Sequence, residues 1–312
     1  MQKAYINVLY DLMQKDRNVV SLLSDSGTDY DFMLARDFPA QCFNFGVAEQ
    51  NQVAAASGMA ALGKIPFVYT TGAFIVYRAY EFLRNDVCFQ KRNVKFVGVG
   101  MGMGMGSWST LGASHHATED ISALRAIPNL ILLSAATPIE LQNCVRAAYD
   151  INGPVYIRMG MAGEEELYDE SYDYQFGKIS QLLSGRDFTL FATGTIVADA
   201  LKAAKQLTED GISINLNNIH ALKPIDKNGI IEAAKDSKKI FTVEEHNIYG
   251  GLGSIIAEII AEAGIAAPLV KIGLDDCFAK GYGKTSEIRR LNGIDENGIY
   301  KRIACECISR ER

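Results

Sequence analysis

Short runs of consecutive apolar residues alternate along this chain with longer stretches whose apolar positions recur at helical spacing. Residues 18–24, 41–45, 66–70, 94–99, 130–134 and 155–158 read as buried strands, with 49–62, 78–83, 119–126 and 138–150 as helices between them. Strands this apolar, alternating with helices, predict a mainly parallel sheet covered on both faces. The segment GEEELYDESYDYQFG at 163–177 breaks the rhythm with acids and tyrosines and reads as a solvated linker. Beyond it the alternation resumes, with strands at 188–192, 213–216, 239–243 and 269–272 and helices at 196–207, 230–234 and 254–262. The pattern predicts an α/β protein of two domains, 1–162 and 185–312, joined by 163–184, each a mainly parallel sheet covered by helices.

A length of 312 residues suffices for two domains, each with its own core. With 48% hydrophobic and 22% charged residues, the composition is that of an ordinary soluble globular protein. A formal net charge of -6 gives no electrostatic footing for nucleic acid or an anionic membrane. No apolar run nears the roughly 20 residues of a membrane span. The amphipathic, acid-containing opening MQKAYINVLYDLMQKD resembles neither a signal nor a transit peptide. The six cysteines, Cys305 and Cys307 apart, are scattered without a CxxC pair, and the four histidines form no HExxH set. Neither a metal site nor a disulfide framework is expected, and reduced thiols fit a cytoplasmic protein.

Candidate chemistry starts at FNFGVAEQN, residues 43–51. It reads as a strand, a glycine turn and the start of an alanine-rich helix, which sets Glu49 among apolar neighbours. A carboxylate there suits a site that needs an acid of raised pKa, although a first-turn acid also simply complements the helix dipole. The run GVGMGMGMG at 98–106 follows a strand and reads as a loop lining a crevice. It lacks the GxGxxG with a later acid that marks a dinucleotide site. In GASHHATED, residues 112–120, His115 and His116 sit on a loop entering a helix. Ligands bind at such places in open α/β sheets, and imidazole can move protons there; a solvated histidine pair is the plain alternative. Phe74 and Tyr77, three apart, share a face and either pack in the core or stack on a flat heterocycle. HALKPID at 220–226 and TVEEHNIYGGLG at 242–253 read as structural connections.

Taken together, the segments FNFGVAEQN, TTGAFIVYRAYEF, GASHHATEDISALRAIPN, GPVYIRMG, HALKPID and TVEEHNIYGGLG span nearly the whole chain. In that order they resemble the C-terminal half of a transketolase, in the form found when the enzyme is split into two subunits. The resemblance implies a pyrimidine-binding domain, then a transketolase C-terminal domain, with thiamine diphosphate as cofactor. The diphosphate and its Mg2+ or Ca2+ would be held mainly by an N-terminal partner subunit in an α2β2 heterotetramer. It also implies transfer of a two-carbon ketol, or related acyl, unit from a ketose donor to an aldehyde or ketone acceptor.

By the same resemblance, Glu49 hydrogen-bonds N1′ of the aminopyrimidine and shares or donates a proton there. Phe74 packs on that ring with Tyr77 nearby, and Asp25 organises the pocket or an interface. His115 matches the histidine of the family's GxTHQ loop, close to the reacting centre, with His116 in place of the usual glutamine. Arg158 matches an arginine that reaches the substrate's phosphate, as suits a planar cation. Typical members carry a histidine and an acidic GEDG sequence where this chain has Met103 and Ser109-Thr110-Leu111-Gly112. The missing aspartate ordinarily contacts a hydroxyl of the sugar donor, a bond Leu111 cannot accept. A deoxy, modified or nucleotide-linked sugar is therefore expected in place of the ordinary ketose phosphates. The alternatives are the β subunit of a 2-oxoacid dehydrogenase, a deoxyxylulose phosphate synthase fragment, and a non-catalytic scaffold that only binds a partner.

Overall fold

Consecutive apolar residues become strands buried on both faces, as their lack of alternation requires. The computed structural model describes residues 1–25, 29–100, 111–161, 164–169 and 171–308, with only the backbone of 29–31 and 308. Among them the strands are β1 (Val19–Leu23), β2 (Cys42–Asn44), β3 (Ile65–Thr71), β4 (Lys95–Val99), β5 (Ile131–Ser134) and β6 (Val155–Met159). The later ones are β7 (Ser180–Leu183), β8 (Phe188–Thr193), β9 (Ile214–Asn218), β10 (Ala221–Lys223), β11 (Lys239–Asn247) and β12 (Leu269–Leu274). The helices of the first half are α1 (Gln2–Lys15), α2 (Asp29–Asp37), α3 (Glu49–Ala61), α4 (Tyr80–Phe82), α5 (Asp120–Arg125) and α6 (Pro138–Asp150). Those of the second half are α7 (Val197–Glu209), α8 (Lys227–Ala234), α9 (Leu252–Glu262), α10 (Thr285–Leu291) and α11 (Glu296–Ile308).

The first sheet has the order β10-β5-β6-β4-β3-β1-β2, parallel except for β10. One face packs around Tyr5, Leu9, Leu133 and Val145, and the other around Val53, Val68, Phe96 and Leu124. The chain runs from β1 to β2 on one side and returns across β1 to β3 on the other. The strand order therefore reverses at β1, which opens a crevice at the carboxyl ends of β1 and β3. The second sheet, β12-β11-β8-β9-β7, is parallel except for β7, and its core gathers Leu190, Leu216, Phe241, Ile288 and Ile299. Glu244 in β11 accepts the Leu252 and Gly253 amides at 2.6 and 2.8 Å, so its carboxylate satisfies orphan donors at the start of α9.

Three features differ from the sequence expectation. Strand β10, from the second half of the chain, completes the first sheet beside β5, and β7 forms inside the segment expected as linker. That segment is also packed rather than simply solvated. Tyr168 stacks on Tyr172 with ring centroids 3.7 Å apart, Tyr172 donates to Glu140 at 3.2 Å, and Tyr174 lies 4.7 Å from the His220 ring. Tyrosine can bury its ring and still satisfy its hydroxyl, which a count of acids in the segment overlooks. Finally, the helix expected at 78–83 is longer and wider, with π-helical turns Phe74–Arg78 and Leu83–Cys88 on either side of α4. No helix among the described residues is long and apolar enough to cross a membrane.

Candidate active site

Glu49 is delivered to the crevice by a turn that its own sequence builds. The Asn44 side chain at the end of β2 accepts from the Gly46 amide at 2.9 Å and from the Asp25 amide at 3.1 Å, tying this turn to the end of β1. Gly46 takes φ +65, a left-handed conformation that costs glycine nothing, and the helix begins three residues later. One turn further, the buried Gln52 accepts from Ser24 Oγ at 2.5 Å and donates to the Leu22 carbonyl at 2.8 Å. These bonds dock α3 on β1 and leave Glu49, 1% exposed, at the wall of a cavity of about 230 Å³.

The same cavity is lined by Ser24, Asp25, Val47, Thr70, Thr71, Phe74, Leu111 and His115. Phe74 meets His115 edge-to-face, with centroids 4.9 Å apart. Arg78 donates to Glu49 Oε2 at 2.6 Å, and its guanidinium carbon lies 4.4 Å from the Phe74 ring centre. Burial, and after it the Arg78 charge, holds His115 below the ordinary histidine value, so its ring stays neutral near pH 7. Ser114 Oγ lies 3.0 Å from His115 Nδ1. The arrangement offers a flat aromatic face, a buried carboxyl and an imidazole able to exchange protons, with apolar Val47 and Leu111 at the rim.

The second domain supports the histidine loop. The Asn247 amide donates to the Thr118 carbonyl at 2.7 Å, and the Ser122 amide donates to His246 Nε2 at 3.3 Å. Gly112, with φ +74, lies against the Tyr282 ring so closely that an added Cβ would come within 2.5 Å of it. The connection at 242–253 thus holds the segment behind His115, and the one at 220–226 contributes β10 to the first sheet.

The structure brings Asp25, Glu49, Phe74, Leu111 and His115 together and leaves three expected residues outside. Tyr77 turns away and shares its hydroxyl with Glu119, donating to Oε2 at 2.8 Å and accepting from the amide at 3.1 Å. His116 is buried next to His115 and does not line the cavity. Arg158 is enclosed in a two-pronged pair with Asp120, at 2.6 and 3.1 Å, and donates to Ser134 Oγ at 3.1 Å. Met103, Ser109, Thr110 and most of the glycine-methionine run lie outside the described residues. Sequence reasoning missed Arg78, whose one signal was its place four residues after Phe74, and Gln52, which directly follows the motif that holds Glu49. A larger cavity, about 630 Å³, lies elsewhere, beside Gln181, Arg186, Asn215 and Lys235 of the second domain. None of the expected site residues lines it. Among the described residues no group of three or more His, Cys, Asp or Glu side chains is placed to hold a metal ion.

Residues 1–161 match the family described as transketolase, pyrimidine binding domain, and residues 177–299 match transketolase, C-terminal domain. The chain is 40% identical to a putative transketolase C-terminal section from Methanocaldococcus jannaschii, over 97% of this chain and 95% of that one. It is 34% identical to one of the subunits of the apulose-4-phosphate transketolase of Phocaeicola vulgatus, over 96% and 95%. Its fold superposes with a TM-score of 0.89 on a solved split-gene transketolase, described as an inactive β4 tetramer. The identity there is 34%, covering 100% of this chain and 99% of that one.

Proposed function

The chain belongs to the transketolase family, and from that premise we propose that it is the C-terminal subunit of a split, thiamine-diphosphate-dependent transketolase-like enzyme. The enzyme transfers a two-carbon ketol unit from a ketose donor to an aldehyde or ketone acceptor. The observation that carries this reading is the buried Glu49 carboxyl facing the same cavity as Phe74 and His115 at the carboxyl ends of the first sheet. The residues present fit an aminopyrimidine: Phe74 offers a flat face, Glu49 a polar partner for the ring edge, and about 230 Å³ is free between them. Bound there, the cofactor supplies the carbon nucleophile and electron sink that protein side chains lack.

Glu49 would then hydrogen-bond the ring nitrogen and hold a proton there. Phe74 fixes the ring plane. His115, neutral near pH 7, accepts or returns a proton at a substrate hydroxyl or carbonyl oxygen. Val47 and Leu111 narrow the entrance to water, and Asp25 orders the rim beside the Asn44 turn. Arg158 is assigned to holding α5 to β6 through Asp120, and phosphate recognition is left to other groups. In this reading the domain division stays at 1–162 and 185–312, joined by 163–184, with β7 of the joining segment paired into the second sheet.

A partner chain completes the site by holding the diphosphate and its Mg2+ or Ca2+, in an α2β2 assembly in the cytoplasm. The relatives support this: one is by name a single subunit of a transketolase, and another, of nearly the same length, forms an inactive β4 tetramer. A specialised sugar is favoured because apolar Leu111 lines the cavity where ordinary family members carry an acid. The test is to purify the chain with and without an N-terminal transketolase subunit and to screen ketose phosphates, modified ketoses and pyruvate. Turnover of a ketose only with both subunits present is expected, and Leu111→Asp should shift preference toward ordinary ketose phosphates. Acyl transfer from pyruvate to a lipoyl carrier would replace this reading with that of a 2-oxoacid dehydrogenase β subunit.

A further inference from the structure

Arg78 engages both of the groups that the proposed function reserves for the cofactor's pyrimidine. Its Nη1 donates to Glu49 Oε2 at 2.6 Å, and its guanidinium carbon lies 4.4 Å from the centre of the Phe74 ring. A guanidinium is flat, stacks on aromatic faces and presents donors along its edge. Those are the properties by which an aminopyrimidine would use the same acid and the same ring. We propose that Arg78, which does not itself line the cavity, is a latch: with the cavity free it holds Glu49 and stacks on Phe74, and it must release Glu49 before that acid can turn to the pyrimidine.

The local structure permits the motion, with the incoming ring replacing Arg78 as the partner of the buried Glu49. Glu49 is the sole hydrogen-bond partner of the Arg78 side chain among the described residues, and that side chain is 37% exposed, so water receives the released charge. The π turn at Phe74–Arg78 brings residue 78 back over residue 74, which accounts for the stacking. The backbone of Glu49, by contrast, is held by the docking of α3 on β1 through Gln52. The opposing view is that Arg78 is a permanent brace that aims Glu49. The two differ in sign: removing a latch tightens pyrimidine binding, and removing a brace weakens it.

This inference rests on the proposed function, and the experiment separates the two. The pyrimidine half of thiamine, 4-amino-5-hydroxymethyl-2-methylpyrimidine, is titrated calorimetrically into the full chain, so that no diphosphate or partner contributes. Wild type is compared with Arg78→Met, Arg78→Lys and Glu49→Gln. The latch predicts that Arg78→Met binds about fivefold tighter than wild type, the equilibrium weight of an ion pair that keeps partial water contact. Arg78→Lys, which keeps the charge and loses the planar face, should also bind tighter than wild type, and Glu49→Gln weaker. If both Arg78 variants bind equally or more weakly while Glu49→Gln still weakens binding, the latch is wrong and the pyrimidine site stands. If Glu49→Gln binds like wild type, or none of the four proteins binds saturably, the pyrimidine site itself is wrong and the latch falls with it.

Discussion

Glu49 and Glu140 are both almost completely withdrawn from water, and they have been treated in opposite ways. Glu140, at the junction of the domains, is closed in by neutral donors: the Ala136 amide at 2.7 Å, Asn218 at 2.8 Å and the Tyr172 hydroxyl at 3.2 Å. Burial pushes its carboxyl up to about 7, and these donors offset only part of the cost. Glu49 is paired among the described residues with the partly exposed Arg78, and otherwise faces open space. Burial alone therefore does not mark an acid as functional. An acid whose bonds are all filled by neighbours is part of the architecture, whereas one beside a cavity with a single movable partner is free to bind something else.

The sharpest way to break this comparison is to remove each acid's charge at nearly constant shape. Glu49→Gln in the two-subunit enzyme should lower kcat/KM by about 100-fold or more, within the range found for positioned acid–base groups. The fold should scarcely change, because the released Arg78 already touches water. Turnover within a few-fold of wild type would remove Glu49 from the chemistry. Glu140→Gln should leave the assembled enzyme's turnover nearly intact and show itself in stability.

That stability effect has a sign that pH reveals. Folded Glu140 keeps its proton up to about 7, whereas an ordinary carboxyl loses it near 4.5, so over this range the folded state binds more protons. Its contribution is complete below about 4.5 and is lost as pH rises toward 7. His220, 3.6 Å from Glu140, is lowered by burial to about 4 from 6.5, so there the folded state binds fewer protons. Its contribution is complete above about 6.5 and is lost as pH falls through 4. Each slope amounts to on the order of 3 kcal/mol across its range, and in wild type they oppose. Urea unfolding between about pH 4.5 and 6.5 should therefore give a flatter profile for wild type than for a variant lacking either group. Glu140→Gln should become more stable with rising pH, and His220→Gln less stable. Parallel profiles for the two variants would show that the pair is not titrating as described.

The contrast between the two acids also explains how much could be read from the sequence. Glu49 was legible because its surroundings are local: a strand, the Gly46 turn and the start of α3 lie within nine residues. The alternation of apolar runs and helices likewise predicts both sheets, since each strand's burial is written in its own residues. Partnerships across long separations were not legible. Asp120, thirty-eight positions from Arg158, takes two N–H groups of the guanidinium that the resemblance assigns to a phosphate. Tyr168, Tyr172 and Tyr174 looked like solvated linker because their partners Glu140, Cys144, Asn218 and His220 lie elsewhere in the chain. Strand β10 escaped because three residues carry no period, and its pairing with β5 comes from the other domain's sheet.

The smallest expected effect tests the line between cavity and support at its narrowest point, Phe74 and Tyr77. Three-residue spacing puts two side chains on one face of an α-helix, but this segment forms a π turn with bonds to the fifth residue. In that wider turn Arg78 returns over Phe74, and Tyr77 is carried round toward Glu119. Tyr77→Phe removes a hydroxyl that both donates to and accepts from Glu119, on a side chain 43% exposed. Water can replace both bonds, so the loss in stability should be about 1 kcal/mol or less. Pyrimidine affinity and kcat/KM should stay within a few-fold of wild type, because Tyr77 acts on the histidine segment only through Glu119. A loss of more than tenfold in either, with stability unchanged, would put Tyr77 back at the cavity and show that the π turn opens when the ring is bound.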